Sequence, residues 1–217
     1  MSAHVISEFP NGIRFIVTAH GDNEISSIAV RFRIGLQPRG VYEYLDFKPG
    51  GNTHAEVFWR TNTAQSYIPP ETIITYHYEI SDSAGNVVTT DPGELIYEDV
   101  RLTWNRVSEG PVTVAYHGPV KTRAQSVLRV ILETLEIMGP VLGAGIDDPI
   151  RVVMYNNQKE MLEALPPRSA TVGRELVTQG QAFNTVGTLI ILAGGQLALG
   201  TASHEVTHIL NHRAGHS

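Results

Sequence analysis

The sequence predicts two domains, an all-β sandwich followed by an α+β region. Short alternating segments rich in β-branched and aromatic residues fill the first half, separated by Gly, Pro, Asn and Asp clusters. After Lys121, apolar residues recur at three- and four-residue intervals, as they do in amphipathic helices. A chain of 217 residues is also long enough to bury two cores.

The first predicted domain covers residues 1–118 and contains about seven strands, as a β-sandwich requires. The predicted strands cover residues 13–19, 28–34, 55–60, 73–80, 87–90, 94–100 and 112–117. Residues 81–86 form the clearest hairpin turn, because Gly85 can adopt positive φ and Asp82 can accept local hydrogen bonds. The aromatic residues predicted for the sandwich core are Tyr76, Tyr78, Tyr97 and Trp104. Gly118-Pro119 marks the predicted boundary.

The second predicted domain covers residues 119–217 and alternates helices with buried strands. An amphipathic helix of about four turns follows Lys121 and is expected to end at Gly139-Pro140. Its predicted buried face comprises Ala124, Val127, Leu128, Ile131, Leu132, Leu135 and Met138. The remaining predictions are a strand over 150–155, a short helix capped by Asn157, a strand over 188–193 ended by Gly194-Gly195, and a helix over 196–213.

Composition excludes several classes of function. The formal charge is −6 and no Lys/Arg run occurs, so nothing is available to neutralise a nucleic-acid backbone. The chain contains no cysteine, so a metal site would need His and carboxylate ligands. The N-terminal segment lacks the features of a signal peptide and no apolar run reaches about 18 residues, so the chain as given is expected to be soluble.

The final predicted helix carries the motif His204-Glu205-Val206-Thr207-His208. With this composition, random placement yields such a His-Glu-x-x-His pattern in about one chain in forty. At about 100° per residue, the two histidines and Glu205 share one arc of the helix with Thr201 and His212. The opposite arc contains Leu199, Ala202, Val206, Ile209 and Leu210. The pattern predicts a helix with one side in a core and the motif facing a cleft.

This motif suits zinc chemistry. Two imidazoles four residues apart can bind one tetrahedral zinc, and Glu205 is placed to take a proton from a zinc-bound water. His212 is excluded as a ligand shared with His204, because the two lie about 12 Å apart along the helix axis. Asn211 and Ala214 occupy the positions at which a metzincin has its glycine and third histidine. The third ligand is therefore expected beyond Ser217.

The segment Ala202-Ser203-His204-Glu205-Val206-Thr207-His208-Ile209-Leu210, after a strand and Gly194-Gly195, resembles the active-site helix of the gluzincins, the thermolysin-like zinc peptidases. The whole layout resembles bacterial peptidase MA-like proteins, in which an immunoglobulin-like β-module precedes a zincin domain. The segments behind that second resemblance are Phe9-Pro10-Asn11-Gly12-Ile13, Ile68-Pro69-Pro70-Glu71-Thr72 and Tyr97-Glu98-Asp99-Val100-Arg101-Leu102-Thr103-Trp104.

The resemblance implies an immunoglobulin-like sandwich over 1–118, followed by the α+β N-terminal part of a zincin-like domain over 119–217. It implies a Zn²⁺ cofactor bound by His204 and His208, Glu205 as general base, and a peptide or protein substrate. In such peptidases an edge strand pairs with substrate backbone; residues 180–184 or 188–193 fit, with Ala182 and Phe183 as candidate contacts.

In that family the third zinc ligand is a Glu on a later helix, within a Trp-rich Glu-Gly-Leu-Ala type motif, and the oxyanion donor is also downstream. Nothing in this sequence matches either of them. We therefore expect a truncated chain with impaired zinc binding and activity. The resemblance also implies a secreted or membrane-anchored location, and it leaves the oligomeric state open.

Three alternatives remain open from the sequence. The chain is a non-catalytic binding module, in which a remnant zincin half serves as a scaffold; or it is a zinc hydrolase that acts on a bond other than a peptide bond; or the two histidines lie on an ordinary polar helix face. Metal content separates the first and third from the peptidase, and digestion of a peptide library separates the second.

Overall fold

The computed structural model describes residues 2–166, 179–194 and 197–215. The chain divides into two units. The first comprises Met1–Ile68 and Ile73–Val100, and the second comprises Pro69–Thr72 and Arg101–Ser217. The described chain is β-rich with some helix, as the sequence predicts, and its described helices all lie in the second unit.

The first unit is built around one long strand that passes through two layers. The strands are β1 (Ser2–Glu8), β2 (Gly12–Ile34), β3 (Val41–Tyr44), β4 (Gly50–Arg60), β5 (Thr72–Asp82), β6 (Val87–Thr89) and β7 (Gly93–Tyr97). The first half of β2 pairs with β1 and β4, and its second half pairs with β3 and β5. The rings of Phe15 and Phe32 stack at 4.9 Å, so the two halves of β2 face each other across the core.

Two predicted strands, 13–19 and 28–34, are therefore parts of one strand. The polar residues between them resemble a turn in sequence, yet Ile25 pairs with both Gly50 and Asp82 after a register shift. The sequence also failed to predict β1 and β3. Their residues are exposed or half-buried, so these strands depend on hydrogen bonding to β2 rather than on an apolar pattern of their own.

The predicted hairpin turn at 81–86 is present. The Asp82 carboxylate accepts hydrogen bonds from the backbone N–H groups of Ala84 and Asn86, and from the side-chain amides of Asn86 and Asn23. These bonds, chiefly those from the Asn86 and Asn23 side chains, lower the pKa of Asp82 to about 2. Gly85 adopts φ 88°, as the turn requires.

The second unit is a five-stranded mixed sheet with helices on both faces. Its elements are β8 (Asn105–Glu109), β9 (Val112–Tyr116), α1 (Lys121–Leu142), β10 (Ile150–Tyr155), α2 (Gln158–Ala164), β11 (Gly180–Phe183), β12 (Thr188–Leu192) and α3 (Ala198–Ala214). The strand order is β11-β12-β10-β9-β8. Strands β9, β10 and β12 are parallel, and the two outer strands are antiparallel to their neighbours.

Because of the strand pairing in this sheet, the domain boundary lies earlier in the chain than predicted. The sequence placed it near residue 118, but β8 and β9 pair within the second sheet, so the second unit begins at Arg101. Trp104 is accordingly no part of the sandwich core. Its ring packs against those of His117 and Tyr155 in the second unit. A β-strand pattern does not say which sheet the strand joins, and this explains the difference.

Helix α1 continues past its predicted end. Pro140 lies inside the last turn, where few backbone hydrogen bonds of the helix remain to be made. The proline therefore does not end the helix at this point. Gly143 closes the helix in the left-handed conformation at φ 68°, and the N–H of Ala144 donates to the carbonyl of Gly139 at 3.0 Å. The glycine that ends the helix is therefore Gly143. Asn157 caps α2 as predicted, accepting from the N–H of Glu160.

The core of the second unit lies between the sheet and the helices α1 and α3. All seven residues of the predicted α1 face contribute, five of them buried and Leu132 and Met138 partly buried. Helix α2 contacts β10 and β12, and the buried side chains of Val153 and Tyr155 point away from the α1–α3 core. Gly195 and Gln196 lie outside the described residues. Among the described helices, none combines the length and apolar character needed to span a membrane.

A buried carboxylate in the second unit yields a stability prediction. Glu71 is 1% exposed, adopts φ 67°, and accepts bonds of 2.9 and 2.6 Å from the Arg106 guanidinium. Arg151 lies 3.7 Å from the same carboxylate. Removing one partner of a buried pair costs about 3–5 kcal/mol, and Arg106 remains partly exposed. We therefore expect Glu71→Ala to lower the unfolding free energy by about 2 kcal/mol.

Glu71→Gly is the matched control, because it removes the same carboxylate but suits positive φ. It should be more stable than Glu71→Ala by about 1 kcal/mol. Urea denaturation of the three proteins measures both differences. Equal stability of the alanine variant and the unsubstituted chain would contradict the role given to the ion pair.

Candidate functional site

The motif lies on α3 with its two faces in different environments. The buried residues of the helix include Ala202, Val206, Ile209 and Leu210, as predicted. Leu199 was also predicted to be buried, but it is 37% exposed, and Ala198, one turn before Ala202, is buried instead. His204 and His208 are exposed on the other side, and Glu205 is half-buried between the two environments. As predicted, the helix is therefore amphipathic, with its apolar side in the core and the two histidines of the motif exposed.

The two histidines of the motif lie against each other. Their Nε2 atoms are 3.1 Å apart and their rings are nearly perpendicular, at 89°. Two nitrogen atoms bound to one tetrahedral zinc at about 2.0–2.1 Å are about 3.3 Å apart. The separation of the two Nε2 atoms is thus close to the distance between two ligand nitrogens of one zinc ion. The same separation also suits a hydrogen bond between a protonated and an unprotonated ring nitrogen.

A third ligand is not apparent within the described chain. No group of three or more His, Cys, Asp or Glu side chains suited to a metal occurs in residues 2–166, 179–194 and 197–215. His212, one turn beyond His208, is part of the same helix but does not complete such a group. The expectation of a ligand beyond Ser217 stays a prediction.

Glu205 packs against the edge strand β11. A Cβ added to Gly180 would lie 2.9 Å from Cγ and 3.2 Å from Oε1 of Glu205, and 2.5 Å from Cγ2 of Thr201. Real Cβ atoms do not approach other atoms so closely, so a residue other than glycine fits here only if the Thr201 and Glu205 side chains shift. The missing side chain of Gly180 lets the carboxylate lie directly beside the strand.

Strand β11 is the outer strand of the described sheet, whereas β12 lies inside it. Of the two segments predicted to pair with substrate, 180–184 and 188–193, the first therefore contains the edge strand of the described part of the sheet. The N–H of Leu192 donates to the carbonyl of Gln179 at 2.9 Å. Hydrogen-bonded and non-bonded pairs alternate along an antiparallel ladder, and Gln179 belongs to a hydrogen-bonded pair. Ala182, three residues later, therefore belongs to a non-bonded pair, and its main-chain groups point away from β12.

The two residues predicted to contact substrate consequently differ in the direction of their main-chain groups. Ala182 presents its N–H and C=O at the outer edge, and its side chain packs against the α1–α3 core. Phe183, the next residue, directs its main-chain groups towards Thr188 on β12, and its side chain points to the opposite face of the sheet. The geometry favours Ala182 over Phe183 for pairing with an extended chain.

A cleft of about 500 Å³ adjoins the motif. Its lining includes four residues that the sequence had singled out, His204, Glu205, Thr201 and Gly180. Three further lining residues, Gln179, Leu197 and Gly200, were not selected by sequence reasoning. Gly200 and Thr201 lie one helical turn before the motif, so helical spacing contained a signal for them. The approach of Gln179 and Gly180 depends on sheet pairing, which the sequence does not show.

Helix α3 is anchored along its length by polar contacts to other parts of the second unit. The Ser203 hydroxyl lies 3.0 Å from the Thr134 hydroxyl on α1. At the helix end, the Arg213 guanidinium donates to the carbonyls of Gly145, Asp148 and Pro149. Burial lowers the pKa of Arg213, and the nearby Asp148 opposes that shift. These contacts fix the direction in which the motif side chains project.

Comparison with known proteins adds no family to these observations. A scan against protein-family models found no match, and a search of curated proteins found none either.

Proposed function

We propose that this chain is a zinc-dependent peptidase of the gluzincin type. The proposal is supported chiefly by the 3.1 Å separation of the His204 and His208 Nε2 atoms on an exposed helix face, beside the cleft that contains Glu205. Two further features fit: the carboxylate lies next to an edge strand, and that strand precedes the motif helix in the chain.

The proposal extends to the fold. The second unit has a mixed sheet with an antiparallel outer strand, and the motif helix packs on one face beside a second long helix. This arrangement supports assignment to the N-terminal part of a zincin-like domain. The two facing layers of the first unit support assignment to an immunoglobulin-like sandwich.

In the proposed reaction, each residue has a separate task. His204 and His208 would hold the metal through their Nε2 atoms, and the core packing of α3 keeps both rings on one side. A bound zinc supplies Lewis acidity and lowers the pKa of a water molecule. Glu205 accepts the proton of the attacking water on its carboxylate and transfers it to the leaving amine. The main chain of Ala182 orients an extended peptide beside that carboxylate.

Zinc content of the histidine variants tests the metal site. We expect His204→Ala and His208→Ala each to weaken zinc binding by at least about tenfold, since each removes a ligand. His212→Ala is the matched control, because its histidine is on the same helix but about 12 Å from His204 along the axis. Elemental analysis after equilibrium dialysis measures all four proteins. Equal zinc content in the His208→Ala and His212→Ala proteins would exclude the site.

Digestion of a peptide library by the zinc-loaded chain tests the reaction itself. Cleavage at peptide bonds is expected, with products identified by mass spectrometry. If zinc binds through His204 and His208 but only ester or other non-peptide bonds are hydrolysed, the chain is a zinc hydrolase of another class. If zinc binds and no hydrolysis occurs, either in this chain or in a version extended past Ser217, the peptidase proposal is rejected.

A further inference from the structure

The outer face of the first unit contains a second groove, far in sequence from the zinc motif. Its floor is formed by neighbouring residues of β2 and β5, where Arg31 pairs with His77 and Arg33 pairs with Thr75. Loops that contain Pro38 and Pro92 border it, and its volume is about 450 Å³. The opposite face of these strands is the sandwich core, since Phe32 is buried. The floor residues therefore face solvent.

The groove is lined by three basic side chains, Arg31, Arg33 and His77. Arg33 is exposed and, within the part of the chain that the structure describes, makes no ion pair. Arg31 is 2.8 Å from the Glu79 carboxylate, and His77 is 3.9 Å from it. That carboxylate thus faces one guanidinium group and one imidazole. The uncompensated group is Arg33, whose planar guanidinium suits bidentate binding of a carboxylate.

An aromatic pair extends this surface along the sheet. Tyr42 and Tyr44 lie on β3, on the same face as Arg31, with ring centroids 5.2 Å apart. The Arg31 guanidinium lies 4.9 Å from the centre of the Tyr42 ring. Tyr44 is 63% exposed. Tyr and Arg are among the residues enriched at the energetic centres of protein interfaces, so this surface is suited to a polypeptide ligand.

The charge of the rest of the unit limits the length of an anionic ligand. The residues of the first unit include six Lys or Arg and twelve Asp or Glu. A long polyanion such as nucleic acid would meet repulsion outside the groove, whereas a short acidic segment would not. We propose that the groove between Arg31, Arg33 and His77 docks a short acidic segment of a protein, with a carboxylate on Arg33 and an apolar neighbour against the tyrosines.

Peptide binding by the full chain tests the proposal. The probes are fluorescein-labelled octapeptides of alternating Glu and Ala, or of alternating Gln and Ala. The acidic peptide should bind at least about tenfold more tightly, because only its carboxylates form charge-assisted bonds to Arg33. Arg33→Glu should weaken its binding at least about tenfold. Fluorescence anisotropy measures each affinity at low and at physiological salt.

Arg60→Glu is the matched control, because it makes the same change of net charge at an exposed arginine on β4. Its affinity should stay within about twofold of the unsubstituted chain, since it lies outside the groove. Equal binding of the two peptides, equal loss in the two variants, or tighter binding of a single-stranded oligonucleotide overturns the proposal. NMR titration of the unsubstituted chain gives an independent reading. Shifts confined to the groove and to the neighbouring face of β3 that contains Tyr42 and Tyr44 are expected, and shifts elsewhere overturn it.

Discussion

Replacing Glu205 by glutamine is expected to lower the hydrolysis rate by about 10²- to 10⁴-fold while zinc binding is retained. The amide has nearly the shape of the carboxylate, so its packing against Gly180 is preserved. It cannot accept the proton of an attacking water. Zinc content should not change, because the metal is held by His204 and His208, whose Nε2 atoms meet on the exposed side of the helix. Steady-state cleavage of a library-derived peptide measures the rate.

The control for this variant is Glu136→Gln, which makes the same chemical change at an exposed position on α1. Its turnover should equal that of the unsubstituted chain. Turnover of the Glu205→Gln protein at that same level would remove Glu205 from the role of general base. Loss of turnover together with loss of zinc would assign Glu205 to metal binding or to folding rather than to proton transfer.

Gly180→Ala is expected to damage both stability and catalysis, although it adds only one methyl group. That Cβ would lie 2.5 Å from Thr201 Cγ2 and 2.9 Å from Glu205 Cγ, so either these two side chains or the strand and helix themselves must shift. Overpacking of this kind costs about 1–3 kcal/mol. A shift of the carboxylate by about 1 Å from the substrate strand lowers the rate by about 10²-fold. Urea denaturation and steady-state kinetics measure the two effects.

Gly145→Ala provides the comparison, because nothing lies within 4 Å of a Cβ added at that loop position. It should match the unsubstituted chain in both stability and turnover. If Gly180→Ala matches Gly145→Ala in stability and turnover, the close approach of β11 to Glu205 contributes to neither. If stability falls but turnover per folded molecule does not, the contact is structural only.

The strong periodic patterns in the sequence located most of the regular structure. The three-to-four spacing from Ala124 to Met138 identified the buried face of α1, because a helix that packs on a sheet must have one apolar side. Asn157 identified the start of α2, since its side chain satisfies a backbone N–H that the helix leaves free. Continuous apolar residues identified β10 and β12, which are buried on both faces.

Other elements could not be predicted, because their conformation depends on partners distant in sequence. Strand β2 is continuous across residues 20–25 since Ile25 pairs with residues on two other strands. β1 and β3 are held by hydrogen bonds to β2 without a buried apolar face. The true domain boundary, near Arg101, follows from the sheet that β8 and β9 join. Strand pairing is a property of the whole fold and is not encoded in one segment.

For the candidate site, the sequence by itself determined which residue types share one helix face: two imidazoles four residues apart with a carboxylate between them. Helix geometry is local, so that inference needed no other part of the chain. Only the tertiary structure decided that β11 rather than β12 is the edge strand of the described sheet, and that Gly180 is the close neighbour of Glu205. Those facts depend on side-chain packing and on sheet order, which bring together residues that the chain keeps apart.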